Sequence, residues 1–224
     1  HIITEKTVRY QNKYLNIYLA REKLTTWYLK NIKNNRDIIW LDTNIIFTPN
    51  TISKLLESRD RNPQAAMFTC FTNYYLEDKN KPYYYDILAY NYGKFFRTSK
   101  SPNLTYEDIV SDNIKQNTNK LDKNKLDKNK LDTSVETCIE TGFGGLVLLR
   151  SNIFSQVKWK FQKPSSVINL RIPPVILCEH WDFCQQVRKL GDILLIKSAN
   201  ATWFHDSIFK NLDMEKIIKK LLVD

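Results

Sequence analysis

The sequence predicts an α/β protein with a mostly parallel central sheet that is flanked by helices. Short apolar runs, for example residues 38–41 and 65–71, alternate with segments in which apolar residues recur every three to four positions. Strands that alternate with helices are typical of layered α/β domains, and largely apolar runs are typical of strands covered on both faces. The chain has 224 residues, of which 42% are apolar, so we expect one domain over residues 1–224.

The N-terminal section supplies the first elements of this fold. HIIT predicts a strand, and the spacing of apolar side chains predicts a helix over residues 10–31. The DIIW run then predicts a buried strand. TISKLLES follows as a short helix with Thr51 as its N-cap, and residues 65–71 predict the next strand.

A low-complexity insertion over residues 115–132 divides the chain. The motif NKLDK is repeated in it, and a five-residue period turns by about 140° on a helix, so its leucines cannot share one face. We therefore expect a mobile, solvated segment. After it, GGLVLLR and DILLIK predict strands, and CEHWDFCQQVRKLG predicts a helix that Gly191 ends. MEKIIKKLLVD predicts a surface helix at the C-terminus.

Composition excludes several classes of protein. No run approaches the roughly 18 apolar residues of a membrane-spanning helix, so we expect no membrane segment in this chain. The four cysteines form no C-x-x-C pair, and no G-x-G-x-x-G or P-loop motif occurs, which argues against a zinc site and dinucleotide cofactors. A net charge of +10 is compatible with nucleic acid, an anionic surface or an anionic small substrate.

The segment IIWLDTN carries the strongest chemical signal. Asp42 comes directly after a predicted buried strand, and ligands of open α/β sheets bind at the carboxyl ends of the strands. Asp42 and Asn44 lie two residues apart, so both side-chain oxygens can reach one hard cation, which can also bind a nucleoside diphosphate. An ordinary Asp-Thr-Asn turn explains the same spacing.

Five segments in order resemble glycosyltransferases of the GT-A class, in particular the fungal Golgi α-mannosyltransferases and the capsule-associated α-1,3-mannosyltransferases. YLAREKLTTWYLKN with DIIWLDTN resembles their arginine-bearing helix and metal motif, in which Asn44 replaces the usual second aspartate. YYYDILAY, GFGGLVLLRSNIF, CEHWDFC and WFHD complete the series. The resemblance implies a Rossmann-like GT-A fold, whose first nucleotide-binding strand is expected upstream of His1.

The resemblance also implies roles for individual residues. Asp42, Asn44 and His205 are expected to bind Mn²⁺ or Mg²⁺. The donor nucleotide is expected to contact Arg21, Asp42, Asn44 and Asp86, and the substrate to contact Gly144, Gly145 and Trp181. Glu179 and Asp182 are the candidates for substrate contact or catalysis.

Several of these residues also have a structural interpretation. Arg21 can be a solvated helix residue, and the glycines can serve a turn that requires positive φ. Glu179 and Asp182 can be the acidic first turn of a helix, and isolated histidines such as His205 are more often core or surface residues than ligands.

Taken with the residues, the resemblance predicts a metal-assisted, retaining glycosyltransferase. It is expected to move a hexose, mannose by resemblance, from a nucleotide-diphosphate sugar to a sugar or glycan acceptor. Two alternatives stay open. One is an inactive relative that only binds sugar or nucleotide, and the other is a basic nucleic-acid-binding protein, which the clustering of lysines in the repeat disfavours.

Overall fold

A seven-stranded sheet forms the centre of the fold. The computed structural model describes residues 13–32, 36–74, 83–84, 104–117, 135–159 and 179–203. Its strands are β1 (Ile38–Leu41), β2 (Ile45–Phe47), β3 (Ala65–Tyr74), β4 (Tyr83–Tyr84), β5 (Glu136–Ile139), β6 (Leu146–Leu149) and β7 (Asp192–Trp203). Its helices are α1 (Lys13–Asn31), α2 (Pro49–Arg61), α3 (Tyr106–Asn117), α4 (Ser151–Phe154) and α5 (Glu179–Leu190).

The sheet is mixed, and the prediction of a mostly parallel, Rossmann-like GT-A fold is wrong. The strand order is β1-β6-β3-β7-β2, with β4 beside β3 and β5 beside β7. Among the described strands only β3 and β7 pair in parallel, and the other five pairings are antiparallel. The inference failed because an apolar run shows that both faces of a strand are covered, not which way its neighbours run. β6 is buried throughout, yet it is antiparallel to both β1 and β3.

Side chains alternate between two hydrophobic clusters, one on each face of the sheet. In β6, Val147 and Leu149 belong to the first cluster, while Leu146 and Leu148 belong to the second. Helices α1, α3 and α5 contribute to the first cluster, and α2 contributes Leu55 to the second. The sheet therefore has helices on both faces. They cover strands whose side chains are apolar on both faces.

Helix α2 begins one turn earlier than the sequence suggests. Its first residue is Pro49, which has a backbone suited to the first helical position, and Thr48 is the N-cap in place of Thr51. The hydroxyl of Thr51 accepts a hydrogen bond from the Thr48 N–H at 3.2 Å and donates one to the Asn200 carbonyl at 2.5 Å. Thr51 thus joins the start of α2 to β7.

Several predicted elements lie outside the described residues, namely the HIIT strand, the C-terminal helix and the insertion beyond residue 117. The first three residues of that insertion, 115–117, belong to α3. DILLIK and the residues after it form one strand, β7, which runs without interruption to Trp203. No helix in the described ranges is long and apolar enough to cross a membrane.

The pairing pattern brings several strand ends to one end of the sheet. Leu41 lies opposite Leu146, so the last residue of β1 is beside the first of β6. The parallel pair β3 and β7 finish together, with Asn73 opposite Thr202, and Trp203 lies opposite Ile45 at the start of β2. We refer to this end, formed by Leu41, Ile45, Asn73, Leu146 and Trp203, as the Asp42 end of the sheet.

Candidate active site

Asp42 and Asn44 lie in a tight turn at the Asp42 end of the sheet. The N–H of Asp42 donates to the carbonyl of Gly145 at 2.7 Å, and its own carbonyl accepts from the N–H of Ile45 at 3.3 Å. Asn44 is exposed in this turn, and the Asp42 side chain is partly exposed. The segment therefore forms an Asp-Thr-Asn turn, as the sequence also allowed. The side chains of Asp42 and Asn44, which both carry oxygen atoms, extend from this turn.

Arg21 of α1 binds the Asp42 side chain directly. Its Nη2 lies 2.9 Å from Asp42 Oδ1, and the residue is only 6% exposed. The arginine is therefore a buried partner of Asp42 and not a solvated helix residue. Both residues were expected in the donor site, but a direct bond between them was not predicted.

Aromatic rings enclose the Arg21 guanidinium. Its Cζ lies 4.8 Å from the ring centroid of Trp159 and 5.3 Å from that of Phe143. Both distances are within the range of cation–π attraction, which is stronger where water is excluded. The guanidinium that binds Asp42 therefore packs against two aromatic rings.

The rings that contact Arg21 are themselves fixed by α1 and α5. Trp159 Nε1 donates to Thr25 Oγ1 at 3.1 Å, and the Trp159 ring stacks on Phe183 with centroids 4.2 Å apart. The Phe143 ring stacks on His180 with centroids 4.3 Å apart and planes only 5° from parallel. Arg21 is thus positioned by three separate segments of the chain.

Gly144 and Gly145 adopt the positive φ values that the turn interpretation required, +62° and +69°. A Cβ on Gly144 would lie 2.6 Å from the Cys70 carbonyl oxygen, and one on Gly145 would lie 2.6 Å from Ile45 side-chain atoms. The same Cβ on Gly145 would be 3.7 Å from Asp42 Oδ2. The glycines therefore allow the turn before β6 to pack closely beside the Asp42 carboxylate.

The Gly144 carbonyl is further fixed by β3. Thr72 Oγ1 donates a short hydrogen bond to it, and Thr69 Oγ1 donates to the Phe143 carbonyl at 2.8 Å. Both threonines are fully buried. They hold the backbone that carries Phe143 and the two glycines, and so they support the surroundings of Arg21 and Asp42.

Helix α5 presents its apolar stripe to the core and Asp182 to another side. Asp182 Oδ2 accepts a hydrogen bond from Gln186 Nε2 at 2.8 Å, and Gln186 also bonds the backbone of Lys158. These contacts connect Asp182, through Gln186, to residue 158. The side chains of Glu179 and Trp181, and the whole of Asp86 and His205, lie outside the described residues.

Three residues around this salt bridge were not predicted from the sequence: Phe143 and Trp159 contact the Arg21 guanidinium, and His180 packs against both rings. His180 is buried and shares its helical face with Phe183, Cys184 and Val187. The spacing i, i+3, i+4 and i+7 was a readable signal that His180 faces the core. No comparable local signal pointed to Phe143 or Trp159, because their contacts with Arg21 span more than 100 residues.

The charge and number of the side-chain ligands at the Asp42 end of the sheet determine which metal ion could bind there. No group of three or more His, Cys, Asp or Glu that could hold a metal ion occurs among the residues the structure describes. Mg²⁺ is commonly held by one or two carboxylates, with substrate phosphates and water as the other ligands. Asp42 and Asn44 fit that mode of binding.

An apolar groove of about 360 Å³ runs between α1 and β1, the strand that leads to Asp42. Its lining residues are all aromatic or aliphatic: Leu24, Trp27, Tyr28, Ile38, Ile39, Trp40, Leu41 and Phe154. Leu24, Ile39 and Leu41 are among the most exposed large apolar side chains of the described structure. The groove offers no charged group to a ligand, so it is distinct in chemistry from the turn with Asp42.

No family model matches the chain, and no curated protein matches it. Among solved structures, A197 from STIV is similar in part: it is 11% identical, the match covers 85% of this chain and 68% of that chain, and the TM-score is 0.44.

Proposed function

We propose that this protein is a metal-dependent glycosyltransferase, which transfers a hexose from a nucleotide-diphosphate sugar to a sugar or glycan acceptor. The observation that carries the proposal is the arrangement of Asp42, held by Arg21, and Asn44 in one turn at the Asp42 end of the sheet. The ordered motifs in which these residues occur support the same activity, with mannose as the sugar that the resemblance favours.

Asp42 and Asn44 are the residues that would hold the cation. Asp42 has one oxygen engaged by Arg21, and its Oδ2 lies on the side of Gly145. A bound Mn²⁺ or Mg²⁺ would stabilise the negative charge that develops on the departing diphosphate. The chain itself fixes the carboxylate through Arg21 and the turn through the Gly145 carbonyl, so the ligands need little rearrangement when the donor binds.

Transfer with retention of configuration requires no protein base if the departing diphosphate accepts the acceptor proton. Glu179 and Asp182 are then substrate-contacting candidates. An inverting reaction instead requires a carboxylate as general base. Product stereochemistry, measured by NMR of the anomeric proton, distinguishes the two cases.

The decisive experiment measures transfer and hydrolysis with a panel of GDP- and UDP-sugars, with Mn²⁺ and with a chelator. We expect turnover that depends on the metal and is lost in Asp42→Ala, because that variant lacks the one carboxylate of the turn. Asp60→Ala removes an exposed aspartate of α2 and is the matched control, with wild-type activity expected. Absence of metal-dependent turnover with every donor in the panel would defeat the proposal.

A binding module without catalysis is the second candidate, and Asn44 is the observation that favours it. An amide supplies an oxygen ligand but no charge, so metal affinity is lower than with two carboxylates. Donor-dependent thermal stabilisation without turnover would identify this case, and turnover would exclude it.

A further inference from the structure

We propose that the outer edge of β1 and the groove beside it bind an extended, acidic peptide segment of another protein, which adds to the sheet as a further strand. In this mode of recognition an edge strand supplies main-chain hydrogen bonds, and pockets beside it receive alternate side chains of the peptide. The interaction requires neither a metal ion nor a nucleotide, so it goes beyond the proposed function and does not depend on it.

The first argument is the backbone of β1. The strand lies at one end of the order β1-β6-β3-β7-β2, and among the strands that the structure describes it pairs with β6 alone. In an antiparallel pair every second residue directs its N–H and C=O groups away from the neighbouring strand. The four residues of β1 therefore present such groups on their outer side over about 13 Å. A peptide in extended conformation can pair with them.

The second argument is the apolar groove between β1 and α1. Its volume of about 360 Å³ is at the lower end of the range for ligand pockets. Leu24 of α1 and Ile39 and Leu41 of β1 are exposed there, and Trp27 adds an aromatic ring. Side chains of an added strand would alternate like those of β1, so α1 would cover one face of the peptide and Ile39 and Leu41 would contact the other. Burial of these apolar side chains favours binding.

The third argument is the charge at one end of the groove. Lys30 is exposed and lies three positions after Trp27, so the two residues are neighbours on the surface of α1. Arg36 is exposed as well, and its carbonyl accepts a hydrogen bond at 3.5 Å from the hydroxyl of Tyr28, which lines the groove. Two cations therefore lie where the groove reaches the start of β1. Carboxylates next to the apolar residues of a peptide would be attracted to them.

The carboxylates at the two ends of β1 are engaged within the protein. Arg59 binds Asp37 at 2.6 Å, and Arg21 binds Asp42 at 2.9 Å. A second copy of the chain would bring its own net charge of +10 to the same edge, and repulsion between the copies disfavours such a dimer. Charge complementarity therefore favours an acidic peptide over a second copy as the occupant of the edge.

The test begins with a phage-displayed library of random peptides, which is selected on the whole chain. Fluorescence polarisation then gives the affinity of each enriched peptide in synthetic form. We expect the enriched peptides to combine acidic residues with a run of β-branched or aromatic residues that contains no proline. A selection that enriches no peptide, or only peptides without acidic residues, would overturn the inference.

Two pairs of variants locate the binding site of these peptides. Leu24→Ser removes apolar surface from the groove and should weaken binding about tenfold, whereas Leu190→Ser changes an exposed leucine at the end of α5 and should leave binding unchanged. Lys30→Glu should weaken binding about tenfold at low salt, and Lys189→Glu, which makes the same change of charge on α5, should weaken it less. Equal losses within either pair would contradict the assignment. All four side chains are exposed, and circular dichroism melting checks that the variants fold.

Backbone methylation of a bound peptide tests whether the peptide adds as a strand. An N-methyl group removes one main-chain donor, and in a strand only every second residue directs its donor to the neighbouring strand. Methylation moved along the peptide one residue at a time should therefore alternate between loss and retention of binding. The same effect at every position would show that the peptide binds in another conformation, and the inference would be wrong.

Hydrogen exchange of the β1 amides distinguishes the other occupants of the edge. We expect the outward-facing amides of β1 to exchange rapidly in the chain alone and to become protected when an enriched peptide is added. Protection without peptide that disappears on dilution would identify a second copy as the occupant, and protection that persists on dilution would identify a segment of this chain. Either result would overturn the inference.

Discussion

Gly145 is a residue of the candidate site at which both the backbone and the neighbouring atoms disfavour a side chain. Its φ of +69° is costly for any other residue, and a Cβ would overlap Ile45 side-chain atoms at 2.6 Å. We expect Gly145→Ala to lower the free energy of unfolding by roughly 1–3 kcal/mol. Because the added methyl group also lies beside Asp42 Oδ2, binding of Mn²⁺ with a diphosphate should weaken. Urea unfolding and calorimetric titration measure the two effects.

Gly191→Ala is the control for that variant. A Cβ there would lie 2.8 Å from the Gln64 carbonyl oxygen, far along the chain from the candidate ligands, so this variant should lose stability as well. Its folded fraction should bind metal and diphosphate normally. Equal loss of binding in both variants would show that Gly145 acts only through stability.

The salt bridge between Arg21 and Asp42 also shows, at the level of single residues, what could be read from the sequence. Asp42 was recognisable because it follows an apolar strand, and Arg21 because it interrupts a helix with apolar residues around it. Their direct bond was not recognisable, because it joins residues 21 positions apart in different elements. The aromatic neighbours Phe143 and Trp159 are more distant still in sequence, and no local pattern records such contacts.

Among the secondary-structure elements, α2 and β5 are joined by a buried carboxylate. Glu136 is 5% exposed and accepts hydrogen bonds from Ser58 at 2.5 Å, from Asn62 at 2.9 Å and from Arg61 at 3.0 Å. Ser58 and Asn62 are buried as well. The carboxylate therefore fixes the last turn of α2 against the sheet.

We expect Glu136→Ala to lower the free energy of unfolding by about 2 kcal/mol, because two buried polar groups lose an acceptor. Glu136→Gln keeps an acceptor oxygen and should lose less. Glu57→Ala removes an exposed carboxylate of α2 that pairs with Lys54, and it should change stability by less than about 1 kcal/mol. Urea unfolding of the three variants is the measurement, and similar losses for Glu57→Ala and Glu136→Ala would contradict the assignment.

The sequence predicted seven of the twelve described elements, whereas β2, β4, β5, α3 and α4 and the directions of the strands were not predicted. Apolar runs located β1, β3, β6 and β7, and residue spacing located α1 and α5. Strand direction depends on which strands pair, and these pairings join residues far apart in the sequence, so no local pattern records them. β1 and β2 are separated by one tight turn, yet each pairs with a different strand.

For the whole molecule, the net charge of +10 is a poor guide to function. Several of the arginines in the described structure are engaged within the protein. Arg21 binds Asp42, Arg59 binds Asp37, Arg61 binds Glu136, and Arg150 donates to the carbonyls of Ala65, Arg59 and Asn62. These arginines are bound within the protein, so they are not the cations that would contact a polyanion, although ion pairs leave the net charge itself unchanged.

The position of β1 at the end of the described strand order has a consequence for the behaviour of the protein in concentrated solution. β1 pairs with β6 on one side, and its outward side chains Ile39 and Leu41 are 44% and 40% exposed. A terminal strand with exposed apolar side chains is a template for aggregation by strand pairing. We expect Ile39→Lys to raise solubility, as measured by light scattering against concentration. Leu190→Lys, which changes an exposed residue at the end of α5, should have a smaller effect if strand pairing is the cause.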